Sequence, residues 1–331
     1  MPIYNCELYV KEAIESILNQ TFSDFEFLII DDASTDKTVE IIKTYTDSRI
    51  KLIEKTSNSG YTNSLNSGLE LAKGKYIARM DGDDISLPER FEKQVAFLQA
   101  NPDFVLCGSW FEVIGSELVV KSPENFEAIK LALLKGNCIA HPSIMMRKQI
   151  LDKLPVVYDV SKEPAEDYDL WVRLLSLGKL HNLQEVLLNY RVHNTQVSQK
   201  RKTQQIQSAL ESRLQMLKFL DCPFDKKEHD LLLKILQRNI FITFDEIKEF
   251  IALKRKMILG NSTNFFDFRG FQEYLSILQN TFFANYFLKR ERYFPIICLQ
   301  YFYTNIKCGY KIKFKDELKL IIKSLIYFKR K

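Results

Sequence analysis

The feature that most limits how this chain can fold is the alternation of apolar and amphipathic runs over its first hundred residues. FEFLIIDDASTD at 25–36 is an apolar stretch that runs straight into acidic and hydroxyl residues; KTVEIIKTY has helical spacing, RIKLIEK is strand-like, TNSLNSGLELAKG is helical and KYIARMD is strand-like again. Strand and helix taking turns in this way predict an α/β fold with a doubly wound, mostly parallel sheet. NCELYVKEAIESILNQ at 5–20 predicts a preceding helix capped by Asn5. Ligands of such sheets gather beyond the carboxyl ends of the strands. Two acidic groups lie there: Asp31 and Asp32 with Ser34, and Asp81, Asp83 and Asp84 in RMDGDD.

Taken alone, Asp31, Asp32 and Ser34 read first as a turn or helix cap. The second group is harder to explain so simply. Three carboxylates within four residues repel one another unless a cation, a basic side chain or open water sits among them. Two acids one residue apart at a strand end can share a divalent cation, which in turn neutralises phosphate oxygens. Asp84 suits either a helix cap or a place behind that site.

Beyond Pro88 the pattern continues with a helix in ERFEKQVAFLQANP, strand and turn in VLCGSWFEVIG, and a helix near 126–135. HPSIMMRKQIL opens with a strand-like run, and AEDYDLWVRLLSLG is a helix closed by Gly178. LLNYRVHNTQVS ends the α/β region. From about residue 200 the chain reads as helical, Lys/Gln-rich and then aromatic, with no glycine between Gly178 and Gly260. The expected organisation is therefore an α/β domain over 1–200 and a helical region over 201–331.

A content of 46% hydrophobic and 27% charged residues fits a soluble globular protein, and no apolar run approaches the ~20 residues of a membrane span. Six cysteines without a CxxC pair predict reduced thiols of an intracellular protein. The net charge of +5 is unevenly spread: residues 307–331 hold nine Lys or Arg against Asp316 and Glu317, so the rest of the chain is slightly acidic. No nucleic-acid partner is expected. In DELKLIIKSLIYFKRK, the apolar face of Leu318, Ile321, Ile322, Leu325 and Ile326 runs beside Lys315, Lys319 and Lys323. Such a helix suits peripheral contact with an anionic membrane through 315–331, or packing on the domain with solvated lysines.

MPIYN, QTFSDFEFLIIDDASTD, NSGYTNSLNSGLELAKGKYIARMDGDD, LPERFEKQ, HPSIMMR, AEDYDLWVRL and YRVHNTQVS occur in the order found in family 2 glycosyltransferases. Over about residues 1–200 the chain resembles these inverting enzymes of the GT-A, nucleotide-diphospho-sugar-binding fold. YIARMDGDDI, GSWFEVI, AEDYDLWVRLLSLGKL and VLLNYRVHNTQVS are most similar to bacterial lipooligosaccharide hexosaminyl- or galactosyltransferases.

The resemblance implies a role for each motif. Pro2 and Tyr4 match the first strand end, with the Tyr4 ring against uracil, and Asp32 matches the acceptor of the base N3–H. Asp81 matches the ribose contact and Asp83 the ligand of Mn²⁺ or Mg²⁺, with Gly82 leaving room for the donor. Asp167 matches the general base, and Glu166 the residue that orients or contacts the acceptor. Arg191 and His193 match the segment that closes over the diphosphate, and His141 lies near the acceptor side. Trp110 and Trp171 could stack on a sugar, although Trp171 within a helix reads first as core.

The implied activity is metal-dependent, inverting transfer of one sugar from UDP-GlcNAc, UDP-GalNAc or UDP-Gal to a hydroxyl of a bacterial surface-glycan or glycolipid acceptor. The setting is cytoplasmic and peripheral to the inner membrane. The alternative is a non-catalytic protein of the same fold that binds a membrane surface or a partner. A sugar-nucleotide pyrophosphorylase would want a Gly-rich, basic phosphate loop near its first strand, and none is found. Three departures from the family pattern stand out. The chain opens at MPIYN without the few apolar residues that precede this motif in relatives, which predicts a shortened first central strand and a weakened nucleotide pocket. Ala33 replaces the glycine common in DDGSTD, which predicts a negative φ there. The Q-x-x-R-W motif of processive synthases is missing.

Overall fold

The computed structural model describes residues 1–193, 201–237 and 241–329. The chain divides into two compact units, Met1–Arg213 and Leu214–Lys331. The 194–198 end of the NTQVS motif and the last two residues of the basic tail lie outside the described residues.

In the first unit β1 (Pro2–Ile3), β2 (Phe27–Asp31) and β3 (Ile50–Glu54) form a parallel sheet in that order, with Pro2 opposite Ile30 and Phe27 opposite Ile50. The helices between these strands are α1 (Val10–Leu18) and α2 (Thr38–Ile42), and α3 (Tyr61–Leu71) follows β3. α1 is helical because Val10, Ala13, Ile14 and Ile17 recur on one face, and all four are buried. Asn5 does not cap it. The helix starts after Tyr9, while Asn5 takes a left-handed φ of 51° and accepts from the Thr35 N–H at 2.8 Å. Asparagine tolerates that conformation and pins the chain to the loop after β2.

The second sheet begins with β4 (Tyr76–Ala78) and β5 (Ile85–Ser86), separated by the RMDGDD turn. After α4 (Arg90–Ala100) come β6 (Phe104–Val113), β7 (Val119–Val120), α5 (Phe126–Leu133), β8 (Met145–Arg147), α6 (Lys148–Leu151), α7 (Glu166–Leu174) and β9 (Lys179–Tyr190). The strand order is β4-β8-β6-β9-β5, with β7 on β6. The α/β class holds, and the structure refines the pairing. Parallel neighbours are confined to the first sheet and to β6–β9, and every other pair in the second sheet is antiparallel. One apolar core joins the two sheets, from Ile14 and Ile29 through Met80 and Leu98 to Met145 and Leu188.

Ala33 departs from expectation, with φ at +63°. The turn after β2 needs a left-handed residue there, and alanine occupies it at a steric cost of about 1–2 kcal/mol.

α8 (Lys202–Met216) runs across the division between the units. The second unit continues with α9 (Lys226–Leu236), α10 (Phe244–Gly260), α11 (Phe268–Leu288), α12 (Pro295–Cys308) and α13 (Phe314–Leu325). Capping boxes start α9 at Asp225 and α10 at Thr243, and buried aromatics such as Phe250, Phe266, Phe283 and Tyr301 fill the interior. Among the described residues no helix is long and apolar enough to cross a membrane.

Candidate active site

The carboxyl ends of β1 and β2, the turn after β4, the segment after β9 and the start of α7 line one cleft of about 1380 Å³. Pro2, Tyr4, Asp32, Asp81, Asp83, His141, Glu166, Asp167 and His193 all border it. Trp110 and Trp171 do not: Trp171 is fully buried under His141, and Trp110 donates to the Ser122 carbonyl at 3.0 Å.

At the nucleotide end Tyr4 is half exposed, while Asp32 is buried. One Asp32 oxygen accepts from Lys55 Nζ and the Ser59 N–H, both at 3.0 Å, and the other accepts from the Gly60 N–H at 2.9 Å. Gly60 reaches this position with a φ of 91°, a conformation glycine adopts without penalty. Burial alone would raise the acid, but the Ser59 N–H, the Lys55 ammonium and the Gly60 N–H outweigh it and hold Asp32 below its ordinary value. The oxygen bonded only to Gly60 keeps room for a further donor.

The acids of RMDGDD are partly neutralised from within the chain. Buried Arg79 holds Asp81 through two nitrogens at 2.6 Å, a bidentate pair. His193 Nε2 lies 2.8 Å from Asp83 Oδ2, the Arg191 Nε–H donates to the Asp83 carbonyl at 2.8 Å, and the Arg191 backbone N–H donates to Asp84 Oδ1 at 2.9 Å. Arg191 also pairs with Glu12 and lies over the Tyr9 ring, on which His193 stacks. The neutralisation is incomplete. Asp84 is fully buried, its Oδ2 has no hydrogen-bond partner, and burial with the charges of Asp81 and Asp83 pushes it well above the usual carboxylate range.

One oxygen each from Asp81, Asp83 and Asp84 lies within 4.8 Å of the others. All-oxygen donors, an excess of negative charge and an orphaned buried oxygen fit a hard divalent cation. Of the two places expected for Asp84, the orphaned Oδ2 and full burial favour the one behind Asp83, the expected ligand. Gly82 has no room for a side chain, but the reason differs from the one expected: a Cβ would come within 2.7 Å of Ile3 Cγ2 at the end of β1.

On the opposite wall Asp167 Oδ2 accepts from Asn137 Nδ2, and Oδ1 from the Tyr168 N–H, both at 2.7 Å. Burial pushes Asp167 up to about 6 despite those two donors. Glu166 is more deeply buried and sits beside the Asp167 charge, which together push it up to about 8; the Tyr61 hydroxyl donates to it at 2.6 Å. His141 is buried, faces the Arg79 charge, and is held well below its ordinary value, so it is neutral; its Nε2 shares a hydrogen with the Tyr158 hydroxyl at 2.8 Å. Asp169 faces elsewhere, paired with Arg173 at 2.7 Å. Burial thus raises Glu166 further than its neighbour Asp167, so of this pair Asp167 gives up its proton the more readily.

Arg79, Lys55, Tyr61 and Asn137 carry no assignment in the sequence reading. Arg79 had a signal, because 79, 81 and 83 alternate with the period of an extended chain. Tyr61 and Asn137 had none, since their partners lie 105 and 30 residues away.

Residues 1–154 match the family described as Glycosyl transferase family 2. A Haemophilus influenzae protein named "Uncharacterized glycosyltransferase" is 37% identical over 59% of this chain and 65% of its own length. The Escherichia coli protein "O-antigen biosynthesis glycosyltransferase WbnJ" is 38% identical over 59% of this chain and 78% of its own. Against the Haemophilus relative the chain spans just under two thirds of the relative's length. Among solved structures, S. aureus TarS 1-349 in complex with UDP-GlcNAc superposes with a TM-score of 0.57 at 16% identity, over 94% of this chain and 91% of that one. The likeness is one of fold, the GT-A fold.

Proposed function

The chain belongs to glycosyl transferase family 2, and from that premise we propose that it moves one sugar, with inversion, from a UDP-sugar to a hydroxyl of a bacterial surface-glycan acceptor. The observation that carries this reading is the cleft itself, with Asp81 and Asp83 on one wall, Asp84 buried behind them, and Asp167 on the other. UDP-GlcNAc, UDP-GalNAc and UDP-Gal are the donors of choice. TarS with UDP-GlcNAc supports the donor class and the O-antigen name of WbnJ a surface-glycan acceptor; lipooligosaccharide and capsule are the acceptors this reading proposes. A lipid-linked acceptor would set the reaction at the cytoplasmic face of the inner membrane.

In this reading Tyr4 packs on the uracil ring, the open lone pair of Asp32 receives the base N–H, and Asp81, oriented by Arg79, binds the ribose. Asp83, with Asp84 behind it, would hold Mn²⁺ or Mg²⁺. When bound, such an ion offsets the negative charge that grows on the diphosphate as it departs. His193, in contact with Asp83 and lining the cleft, would reach the diphosphate directly, while Arg191, bonded to the Asp83 carbonyl, would act from behind it. Asp167 takes the proton of the acceptor hydroxyl as the acceptor oxygen attacks the anomeric carbon from the face opposite the diphosphate; the new C–O bond forms as the bond to UDP breaks. Protonated Glu166 can donate a hydrogen bond to an acceptor oxygen without competing for that proton.

The test is UDP release from each of the three donors, with and without Mn²⁺. Release that depends on Mn²⁺ and is lost in Asp83→Ala is the expected result. A folded protein that binds none of the donors with Mn²⁺ present would overturn the reading. Binding without release would point to the non-catalytic alternative.

A further inference from the structure

We infer that the α12–α13 hairpin of the second unit is a docking face for an anionic lipid bilayer. The tail helix suspected from sequence is only half of it. α12 and α13 pack on each other, joined by a turn in which Gly309 takes a φ of 67° and ends α12. Each helix has one face already used: Ile297, Tyr301 and Thr304 of α12 are buried, as are Leu320 and Ser324 of α13.

The opposite faces are apolar as well, and they are bare. On α12, Ile296, Leu299, Phe302 and Ile306 recur at helical spacing and are exposed, Ile306 by 82%. On α13, Phe314, Leu318, Ile322 and Leu325 form the matching stripe, with Phe314 80% exposed. Isolated exposed apolar residues are ordinary on a protein surface, but two stripes on consecutive helices are not.

Charge decides the occupant. From 295 to 329 the chain carries seven lysines against two acids, Asp316 and Glu317. Lys315 and Lys319 are exposed beside the α13 stripe by helical spacing, and Lys307, Lys311 and Lys313 cluster around the turn. An apolar stripe bordered by long cationic side chains suits the boundary between acyl chains and anionic headgroups, because the lysines reach up to phosphate while the stripe sinks below it. A buried protein interface would instead have to desolvate those ammonium groups.

This inference extends the membrane setting of the proposed reaction. It is read without donor or metal, so its failure would leave sugar transfer standing. The whole chain is sedimented with phosphatidylcholine vesicles and with vesicles containing phosphatidylglycerol. Binding to the anionic vesicles, about tenfold weaker to neutral ones and reduced by high salt, is expected. Ile306→Asp with Leu325→Asp should abolish binding to both while the far-ultraviolet circular dichroism and the thermal transition stay as in the parent. Lys315→Glu with Lys319→Glu should remove only the preference for anionic lipid and serves as a second, milder variant. Failure of the parent to bind, or undiminished binding by both double variants, overturns the inference. So does self-association of the parent that Ile306→Asp with Leu325→Asp reverses, since that assigns the face to a second copy of the chain.

Discussion

Asp167 and Glu166 are adjacent in the chain and differ in what surrounds them, and that difference is the handle on the chemistry. Asp167→Asn removes the proton acceptor while keeping the shape, so sugar transfer should fall by about 10²–10⁴-fold with UDP binding retained in titration calorimetry. With Asp167 titrating at about 6, kcat/KM should rise with pH up to that point and level off above it, because only the ionised form accepts a proton. Asn137→Ala takes away a donor that favours the ionised form, so the same limb should move to higher pH while the plateau is kept. Ala33→Gly relieves a left-handed alanine and should raise the melting midpoint by about 2–4 °C, for a net gain of about 1 kcal/mol. At this scale local motifs bring forward Asp81, Asp83 and Asp167, all of which border the cleft, but not their partners. The groups that tune them, Tyr61 and Asn137, act across distances that only the folded chain closes.

The elements were legible wherever hydrophobic period and chain breakers agreed. α7 begins at Glu166 within the AEDYDLW pattern but stops at Leu174, short of Gly178, and β2 runs Phe27–Asp31 rather than the Phe25–Ile30 of the apolar run. What the pattern could not supply was pairing direction in the second sheet. β4 and β5 are three and two residues long, too short to show a period, and their antiparallel partners β8 and β9 are remote in sequence. Nor did it reveal that the RMDGDD turn packs against β1. Gly82→Ala should destabilise the first unit by about 1–3 kcal/mol, seen in urea unfolding, because a Cβ meets Ile3. Ile3→Ala in the same background should recover part of that loss. Simple addition of the two single effects would remove the contact as their cause.

For the whole molecule, the shift to glycine-poor helical sequence put the expected boundary near residue 200, whereas the chain divides into its compact units between Arg213 and Leu214. The offset has a physical origin: α8 crosses the division, and no breaker marks it. The second unit has an aromatic interior of its own, including Phe250, Phe266, Phe271, Phe283 and Phe287. Residues 214–331 produced alone should therefore unfold in one cooperative thermal transition; a broad, featureless melt would show that this interior is not sufficient.

The contact between Gly82 and Ile3 also sets a rule for redesigning donor choice. Combinatorial libraries over the cleft can be varied at Asn58 and Lys121, which border it with exposed side chains. At position 82, however, every codon but glycine would return a repacked β1 end before any change in sugar preference could be scored.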